Sequence, residues 1–390
     1  MFQERKAMKN KFSCIFFIGI TALLSIFGMF LFCMPQKSFS EMENRCLTTF
    51  QKMSVSGFFD TSFQDRLTKG ANDQFAGRDF WMKFSVALQQ AMGFHDVDGV
   101  YFGKEGYYFE RVLDSQLSDS RYLNNLRCLG QFSGQSQAKV TFLPVPAAST
   151  ILSDKLPANA VTYDAKRLFT QAESQLENAE LLDIRPDLSK ECKKSQVYFK
   201  TDHHWTMEGA YQGYAAWCRV HKIAPRRLNF FSPKQVSDAF YGTLYSKAPF
   251  FSAEPDKLIL PMKLPESDTF IDGKKTDAQS GKQPYKYGIF DWAKLETKDK
   301  YAVYFGGNFG RIDIHTNNQN KKNLLIIKDS FANSIVPFLM QHYQTITMLD
   351  FRYYNESTKK LVQSEHIDEV LILYELSNFA QDINFFKIIK

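Results

Sequence analysis

The longest apolar run of the chain lies close to its N-terminus, where residues 12–34 carry no charged side chain and are dominated by Phe, Ile, Leu, Met and Gly. At about 1.5 Å per helical residue the run is roughly 35 Å long, enough to cross the hydrocarbon core of a bilayer. A basic segment, residues 1–11, precedes it, and Pro35 ends it. Because basic flanks stay in the cytoplasm, we predict a cytoplasmic tail (1–11), a single transmembrane anchor (12–34) and an extracytoplasmic remainder.

A cleaved signal peptide is the main alternative to this anchor. It would have a shorter apolar run with a small-x-small cleavage site directly behind it. The segment Ser38-Phe39-Ser40 is a poor match to such a site, so we favour an anchor that is kept.

Beyond the anchor, short apolar runs alternate with longer amphipathic segments, which predict buried strands and helices respectively. Strands that lack strict alternation and are separated by helices indicate a parallel sheet covered on both faces. The predicted strands are 138–145, 181–184, 323–328, 345–349 and 369–374, and the predicted helices are 118–131, 165–180, 206–220, 331–342 and 356–363. The predicted fold class is therefore α/β, a three-layer sandwich with a mainly parallel sheet.

Three further segments complete the predicted organisation. Residues 35–95 are mixed and polar-aromatic, which is typical of a stalk that leads into a main domain. Residues 97–109 predict a β-hairpin, since two aromatic runs flank a turn at residues 104–106. Residues 228–300 are rich in Pro, Lys, Gly and Ser and predict an insertion with some β structure. The main domain then spans residues 96–390.

The composition excludes two classes of protein. Hydrophobic residues make up 44% of the chain and aromatic residues 15%, so it can bury a sizeable core and is not expected to be disordered. The net charge is +6, from 48 basic and 42 acidic residues, with no long basic run after the first segment, so nucleic-acid binding is not expected. The six cysteines include no CxxC pair that would suggest zinc, and both disulfides and free thiols remain open.

A serine stands where a predicted strand meets a predicted helix. The strand at residues 323–328 ends just before Asp329 and Ser330, and ligands of open α/β sheets bind outside the carboxyl ends of the strands. At such a corner the hydroxyl is exposed, and N–H groups of the following helix suit a developing oxyanion. On this pattern alone, capping of the helix by Asp329 or Ser330 is the simpler explanation.

Three titratable residues follow one another at Asp202, His203 and His204. A hydroxyl nucleophile needs an adjacent base, and His204 can be that base if Asp202 fixes its tautomer. In an extended segment residues two apart point the same way, so Asp202 and His204 would lie side by side and His203 would face away. Such a cluster can also bind a metal ion, but no further ligand motif such as HExxH accompanies it, so we predict neither a metal nor a cofactor.

Two other segments supply candidates for the oxyanion hole and the pocket. Gly306, Gly307 and Asn308 form a Gly-rich turn that leaves an aromatic strand, where the backbone can approach a ligand and Asn308 offers an amide donor. An ordinary β-turn is the alternative. Arg352 and Tyr353 follow the next predicted strand, so they are expected on the same edge of the sheet as Ser330, although a surface salt bridge explains Arg352 about as well.

These motifs resemble those of the DHHW protein family, which is named for the run that appears here at residues 202–205. The matching blocks occur in order over most of residues 40–385. They are Glu43-Asn44-Arg45, Asp73-Gln74-Phe75, Gly99-Val100-Tyr101, residues 240–244, Gly306-Gly307-Asn308, residues 328–331 and residues 350–354. The family is similar to the alginate O-acetyltransferases of the AlgJ and AlgX type, in which the Asp-x-His pair precedes the serine in the chain.

The resemblance implies a permuted SGNH hydrolase-like domain in which Ser330 is the nucleophile, His204 is the general base and acid, and Asp202 orients His204. It also implies Arg352 as a pocket residue, and we add His203, the neighbour of the base, to the pocket candidates. Lys328 departs from the pattern, because it replaces the glycine of the usual Gly-Asp-Ser block beside the oxyanion hole.

The implied function is serine-dependent O-acyl (acetyl) transfer to a cell-surface or secreted polysaccharide through an acyl-serine intermediate. The implied partners are an acyl donor, a glycan acceptor and a multi-pass membrane O-acyltransferase. A carbohydrate or lipid esterase on the same three residues is one alternative, since water would then attack the acyl-enzyme. A non-catalytic envelope scaffold is another, and it predicts that Ser330 Oγ lies beyond hydrogen-bond reach of His204.

Overall fold

The computed structural model describes residues 13–23, 25–26, 28–29, 34–50, 61–276 and 288–390. Tertiary contacts divide the chain into two compact units, Met1–Ser85 and Val86–Lys390. The predicted cytoplasmic tail lies outside the described residues, and so do parts of the predicted anchor, stalk and insertion. In the portion of the chain that is described, no helix has the length and apolar character needed to span a bilayer. The boundaries expected from the sequence stay predictions.

The first unit contains a helix, α1, whose described residues are 13–23, 25–26 and 28–29. Strands β1 (Phe39–Ser40) and β2 (Arg45–Cys46) pair antiparallel, and helix α2 (Thr61–Asp73) follows. The Asp73 carboxylate accepts hydrogen bonds from the Arg45 guanidinium and from Thr48 N, so the end of α2 is tied to the strand pair.

The remaining elements include ten α-helices and thirteen strands over the described residues. The helices are α3 (Arg78–Ala91), α4 (Asp119–Gln135), α5 (Ala148–Ile151), α6 (Ala165–Gln175), α7 (Arg185–Glu191), α8 (Met207–Val220), α9 (Thr243–Lys247), α10 (Val336–Leu339), α11 (Thr358–Ser364) and α12 (Leu376–Gln381). The strands are β3 (Asp96–Val97), β4 (Val100–Phe102), β5 (Tyr108–Glu110), β6 (Lys139–Val145), β7 (Glu180–Leu181), β8 (Pro233–Phe240), β9 (Asp256–Pro261), β10 (Ser267–Ile271), β11 (Lys274–Lys275), β12 (Arg311–Thr316), β13 (Asn323–Lys328), β14 (Thr345–Leu349) and β15 (Glu369–Glu375).

The large sheet of the second unit is mixed. Over the described residues it has eight strands in the order β11-β10-β12-β14-β13-β15-β6-β7. The five from β14 to β7 are parallel, as predicted, whereas β12, β10 and β11 extend the sheet antiparallel. The expectation of a mainly parallel sheet therefore holds only for the five strands from β14 to β7. The antiparallel strand β12 was not predicted, because its Asp and His side chains break up the apolar signal.

Both faces of the sheet are covered. Along β13, Leu324 and Ile326 join the apolar cluster that includes α8, while Leu325 and Ile327 join the cluster that includes α4, α6 and α12. This alternation follows from the two-residue period of a strand. Two helical layers therefore enclose the sheet, which confirms the predicted α/β sandwich at the level of its layers.

Several local predictions are confirmed and others are wrong. The helix predicted at residues 165–180 ends at Gln175, and the strand predicted at residues 181–184 is the shorter β7. Strands β13 and β14 begin and end at the predicted residues, and Thr206 caps α8 by accepting a hydrogen bond from Gly209 N. The predicted helix at residues 331–342 is instead a 3₁₀ turn (Ser330–Ser334) followed by α10. Pro337 explains the break, since it lacks an N–H and its ring would collide with the carbonyl four residues earlier.

The predicted hairpin and insertion take the following form. Strands β4 and β5 pair antiparallel around a turn at residues 104–106, and β3 extends them. Within the predicted insertion, β8 and β9 form a separate two-stranded sheet, whereas β10 and β11 join the large sheet. The described cysteines are free thiols: Cys14, Cys46, Cys128, Cys192 and Cys218.

Candidate active site

The Asp-His-His cluster lies at the tip of a tight turn. Tyr198 and Trp205 face each other across an antiparallel bridge, and Phe199 N donates to His204 O at 3.1 Å. Trp205 ties this turn to the segment that follows β13. Its Nε1 donates to Phe331 O at 3.0 Å and to Ser334 Oγ at 2.8 Å. The extended segment expected from the sequence is therefore wrong, because the chain reverses direction here.

The turn nevertheless brings Asp202 and His204 together. Asp202 Oδ1 accepts hydrogen bonds from His204 N at 3.0 Å and from His204 Nδ1 at 2.6 Å. His203 does not face away, since its ring centroid lies 3.9 Å from that of His204. The Thr243 hydroxyl donates to Asp202 Oδ2 at 3.1 Å. His203 Nδ1 lies 2.6 Å from Thr243 Oγ1, so His203 must be the donor to that hydroxyl oxygen.

Asp329, not Ser330, caps the turn that follows β13. Asp329 Oδ1 accepts from Phe331 N at 2.9 Å, and Oδ2 accepts from Glu375 N and Asn378 Nδ2, each at 2.9 Å. The Ser330 hydroxyl is thereby left for another partner. The amide of Phe331 is committed to Asp329, which argues against the expectation that the turn after the serine offers this N–H to an oxyanion.

The hydrogen-bond partner of the Ser330 hydroxyl is the imidazole of His204. Ser330 Oγ lies 2.7 Å from His204 Nε2, although the two residues are 126 positions apart in the chain. A carboxylate only accepts, so His204 Nδ1 carries the proton that is donated to Asp202. His204 Nε2 is then the acceptor, and the Ser330 hydroxyl donates to it. Hydroxyl, imidazole and carboxylate thus form one hydrogen-bonded chain.

Burial sets the charge state of this chain. It lowers the pKa of His204 to about 4, with the charge of His203 acting in the same direction and Asp202 opposing. Burial alone would raise the pKa of Asp202, but the charges of His203 and His204 and the hydrogen bonds to the carboxylate outweigh it and hold the pKa well below its usual range. At neutral pH the chain therefore holds a neutral imidazole between a hydroxyl and a carboxylate.

Three residues that support the chain were not identified from the sequence. The Tyr301 ring stacks on the His204 ring with centroids 3.8 Å apart. Thr243 N donates to Asp202 Oδ2 at 2.8 Å, and Gly242 lies so close to Asp202 that an added Cβ would stand 2.2 Å from its Cβ. Gly242 and Thr243 belong to the block at residues 240–244, which matched the family but was given no function from the sequence. Nothing in the sequence pointed to Tyr301.

The Gly-rich turn contacts the end of β13 through Asn308. It follows a 3₁₀ turn at Lys300–Val303, not the expected strand. Gly306 and Gly307 have φ angles of +82° and +134°, a region that favours glycine. Asn308 Oδ1 accepts from Lys328 Nζ at 2.8 Å, so the side chain is held by the residue two positions before Ser330.

Arg352 and Tyr353 lie beyond the end of β14. The Arg352 guanidinium binds both oxygens of Asp350, at 2.9 Å and 2.5 Å, and its side chain is 44% exposed. Tyr353 is 56% exposed, and its backbone carbonyl lies against Gly310. Arg352 therefore forms the salt bridge that was one of its two interpretations, while its role in a pocket remains a prediction.

A metal-ligand arrangement is the competing interpretation of the cluster. Asp202, His203 and His204 each offer a ligand atom, and these atoms lie within 4.8 Å of one another. The donor set fits poorly, because His204 Nδ1, His204 Nε2 and both Asp202 oxygens already take part in hydrogen bonds inside the protein. The described contacts of the cluster are therefore hydrogen bonds within the protein.

Together, fold and site define an α/β domain with a large mixed sheet that carries a Ser–His–Asp hydrogen-bonded chain at the carboxyl end of β13. The family model for the DHHW protein matches residues 97–349, so the chain belongs to the DHHW family. This confirms the resemblance seen in the sequence. No curated protein matches the chain.

Solved structures share the fold. A DHHW family protein from Eubacterium siraeum has 22% identity and a TM-score of 0.63, covering 75% of this chain and 95% of that one. PatB1 of Bacillus cereus, solved with a sulfonyl adduct, has 23% identity and a TM-score of 0.59, covering 75% and 98%. The O-acetyltransferase domain of Pseudomonas putida AlgJ is more distant, with 13% identity and a TM-score of 0.45, covering 73% and 93%.

Proposed function

We propose that the second unit is a serine-dependent O-acyltransferase with a permuted SGNH hydrolase-like domain, in which Ser330 carries the acyl group. The observation behind this proposal is the chain of two short hydrogen bonds, 2.7 Å from Ser330 Oγ to His204 Nε2 and 2.6 Å from His204 Nδ1 to Asp202 Oδ1. Such a constellation is recognised by its geometry and roles and not by the order of its residues.

In the first half-reaction, Ser330 Oγ attacks the carbonyl carbon of the acyl donor. Its proton passes to His204 Nε2 as the new C–O bond forms, and the π-electron pair of the carbonyl moves onto the oxygen. Asp202 stabilises the imidazolium produced. When the intermediate collapses, the carbonyl re-forms, the donor's alcohol leaves with the proton from His204, and the acyl group stays on Ser330.

In the second half-reaction, a sugar hydroxyl takes the place of the departed alcohol. His204, neutral again, removes the proton of that hydroxyl, and the sugar oxygen attacks the acyl carbon. Collapse of this intermediate breaks the bond to Ser330 Oγ, which regains its proton from His204. The acyl group thus passes to the sugar, and the enzyme returns to its starting state.

The test is direct detection of an acyl-serine. After incubation with 4-nitrophenyl acetate, peptide mass spectrometry is expected to find acetyl on Ser330. Ser330→Ala should abolish the label, and Asp202→Asn and His204→Gln should slow acylation by about 10³–10⁴-fold. Ser174→Ala, which changes an exposed serine of α6, is the matched control. A folded wild-type protein that never carries acetyl on Ser330 would sink the proposal.

The acceptor class rests on the resemblance to alginate O-acetyltransferases, so a cell-surface or secreted polysaccharide is proposed. A carbohydrate or lipid esterase is the second candidate, since both activities share the acyl-enzyme. The partition of acetyl between water and added oligosaccharides separates them. The scaffold alternative predicted a gap between Ser330 and His204, and the 2.7 Å separation favours the enzymatic alternatives over it.

The location is proposed on the sequence pattern, and the partner on the family resemblance. The uncharged run at residues 12–34 behind a basic segment supports a single-pass anchor with the main domain outside the cytoplasm. A multi-pass membrane O-acyltransferase would then supply the acyl group. Alkaline phosphatase fused after Lys390 is expected to be active in cells, whereas an inactive but stable fusion would place the domain in the cytoplasm.

A further inference from the structure

A fully buried lysine lies directly behind the candidate nucleophile. Lys328 is 0% exposed and ends β13, a strand with neighbours on both sides. The strand alternation puts its side chain on the same face as Ile326, the face that also packs Trp205 and Tyr301. Burial of an ammonium group is costly unless it is paired and hydrogen-bonded, so this charge needs a reason.

The hydrogen-bond partners of Lys328 are two carboxamides. Nζ donates to Asn308 Oδ1 and to Asn333 Oδ1, each at 2.8 Å. The nearest carboxylate oxygen, Asp350 Oδ2, is 3.9 Å away, and that carboxylate is already bound by Arg352. The strongest contacts of the ammonium therefore orient amide groups and do not form a simple ion pair.

These contacts determine which way the Asn308 side chain is turned. An ammonium group only donates, so both amide oxygens must face Lys328. Asn308 Oδ1 also accepts from Asn333 Nδ2 at 3.3 Å, which uses its second lone pair. The group that Asn308 has left to offer is its Nδ2 donor. In the chain, Lys328 lies two positions before Ser330 and Asn333 lies three positions after it. Asn308 therefore accepts hydrogen bonds from residues that flank the serine in sequence.

We propose that Lys328 is a positioning residue that holds Asn308 Nδ2 beside Ser330, where it donates to the oxyanion of both acyl-transfer intermediates. The inference rests on the proposed function and adds a residue that stands where the usual Gly-Asp-Ser block has a glycine. The ammonium also polarises the carboxamide through its oxygen, which strengthens the N–H groups as donors. Donors fixed in advance in this way need no reorganisation as charge develops on the substrate oxygen.

The charge state of Lys328 agrees with this role. Burial lowers its pKa to about 8, with the Asp350 and Asp329 carboxylates opposing and the Arg352 guanidinium adding to the effect. The ammonium form therefore still predominates at pH 7, where it is able to donate to both amides at once.

The experiment measures acylation by 4-nitrophenyl acetate in four full-length variants: Lys328→Met, Asn308→Ala, the double variant of these two, and Asn308→Asp. Asn308→Asp is nearly isosteric and keeps an oxygen for Lys328, but it lacks the donor. Each single change is expected to lower kcat by about 10²–10³-fold with KM within about threefold, the usual loss for one oxyanion donor. The double variant should be no more than about threefold slower than the slower single variant, since Lys328 acts through Asn308.

Two results overturn the inference. One is a double variant whose loss equals the product of the single losses, and the other is a folded Asn308→Asp protein that acylates at the wild-type rate. If Lys328→Met does not fold, a folded Asn308→Asp protein that acylates at the wild-type rate still overturns the inference, because Lys328 is proposed to act only through Asn308. Lys360→Met, at an exposed lysine of α11, is the matched control. Absence of acetyl-Ser330 in the wild-type protein would instead defeat the proposed function itself.

Discussion

The ring of Tyr301 lies flat on the imidazole of His204, with the two planes 12° apart and the centroids 3.8 Å apart. The Tyr301 hydroxyl donates to Ser330 O and Ser334 Oγ, each at 3.2 Å. One buried side chain thus touches both the proposed base and the backbone of the proposed nucleophile, so it sets the angle at which His204 meets Ser330.

Removal of the Tyr301 ring is expected to slow acylation more than removal of its hydroxyl. Tyr301→Phe keeps the stacking surface, so its acylation rate should stay within about threefold of wild type. Tyr301→Leu frees the imidazole to tilt, and a displacement of about 1 Å costs on the order of 10²-fold. Stopped-flow acylation by 4-nitrophenyl acetate, with circular dichroism as the check of folding, measures both. Equal rates for folded Leu and Phe variants would contradict this prediction.

The acid limb of the pH–rate profile is expected near pH 4. Only the neutral imidazole can take the Ser330 proton, and burial lowers the pKa of His204 to about 4, so kcat/KM should fall as the pH drops through that value and be level above about pH 5. A limb near 6.5, the ordinary value for histidine, would show that His204 is not held in this environment.

The same shift links folding to pH. Between pH 6.5 and 4 the unfolded chain binds a proton on His204 that the folded protein excludes, so this residue makes stability decrease as the pH falls through that window. Urea denaturation of wild type and His204→Gln at pH 7 and pH 5 is the measurement. The free energy of unfolding of wild type, relative to that of the variant, should be lower at pH 5 than at pH 7.

Gly242→Ala is expected to disturb Asp202 by contact alone. The backbone of Gly242 has an ordinary φ of −81°, but an added Cβ would lie 2.2 Å from Asp202 Cβ and 2.4 Å from its Oδ2. Overpacking of this kind costs about 1–3 kcal/mol, and here it also shifts the carboxylate that orients His204. Loss of acylation together with a lower free energy of unfolding is expected.

A matched glycine separates this effect from the general effect of alanine. Gly130 lies in α4, where an added Cβ meets nothing closer than 4.0 Å. Gly130→Ala is expected to keep full acylation and to raise the free energy of unfolding by about 0.5–1 kcal/mol, as alanine does inside helices. Normal acylation by Gly242→Ala would contradict the role given to this contact.

Glu375→Gln is expected to stabilise the protein at high pH only. Burial raises the pKa of Glu375 to about 7, where its carboxyl group bonds to Tyr163, Ser377 and Asn378. Between pH 4.5 and 7 the folded state keeps a proton that the unfolded state has released, so this group makes stability fall as the pH rises. The variant should exceed wild type by about 1–3 kcal/mol at pH 8 and match it at pH 4.5. A difference that does not depend on pH would contradict the assignment.

The quality of the sequence predictions followed the strength of local signals. Strand β13 was predicted with its bounds, because a run of Leu and Ile between polar residues has few other interpretations. Strand β12 was missed, since Ile312 and Ile314 alternate with Asp313 and His315 in a polar stretch. His315 stays exposed, whereas Asp313 is buried where β12 pairs with β10 and β14, and local sequence does not reveal that pairing.

In the candidate site, too, some residues could be predicted from the sequence and others could not. Asp202, His204 and Ser330 were found from residue type, spacing and family resemblance. Lys328 was noticed only as a departure from a glycine, and its bonds to Asn308 and Asn333 could not be foreseen. Those bonds depend on the packing of a loop against the end of a strand.

The sequence by itself determined the elements of the parallel part of the sheet, the family, and the residue types that can transfer a proton and carry an acyl group. These follow from side-chain chemistry and short-range periodicity, which are properties of consecutive residues. Only the tertiary structure decided that Ser330 meets His204, that Tyr301 covers the imidazole and that Lys328 turns Asn308. Such contacts join residues far apart in the chain, and their free energy exists only once the sheet and its covering layers have packed.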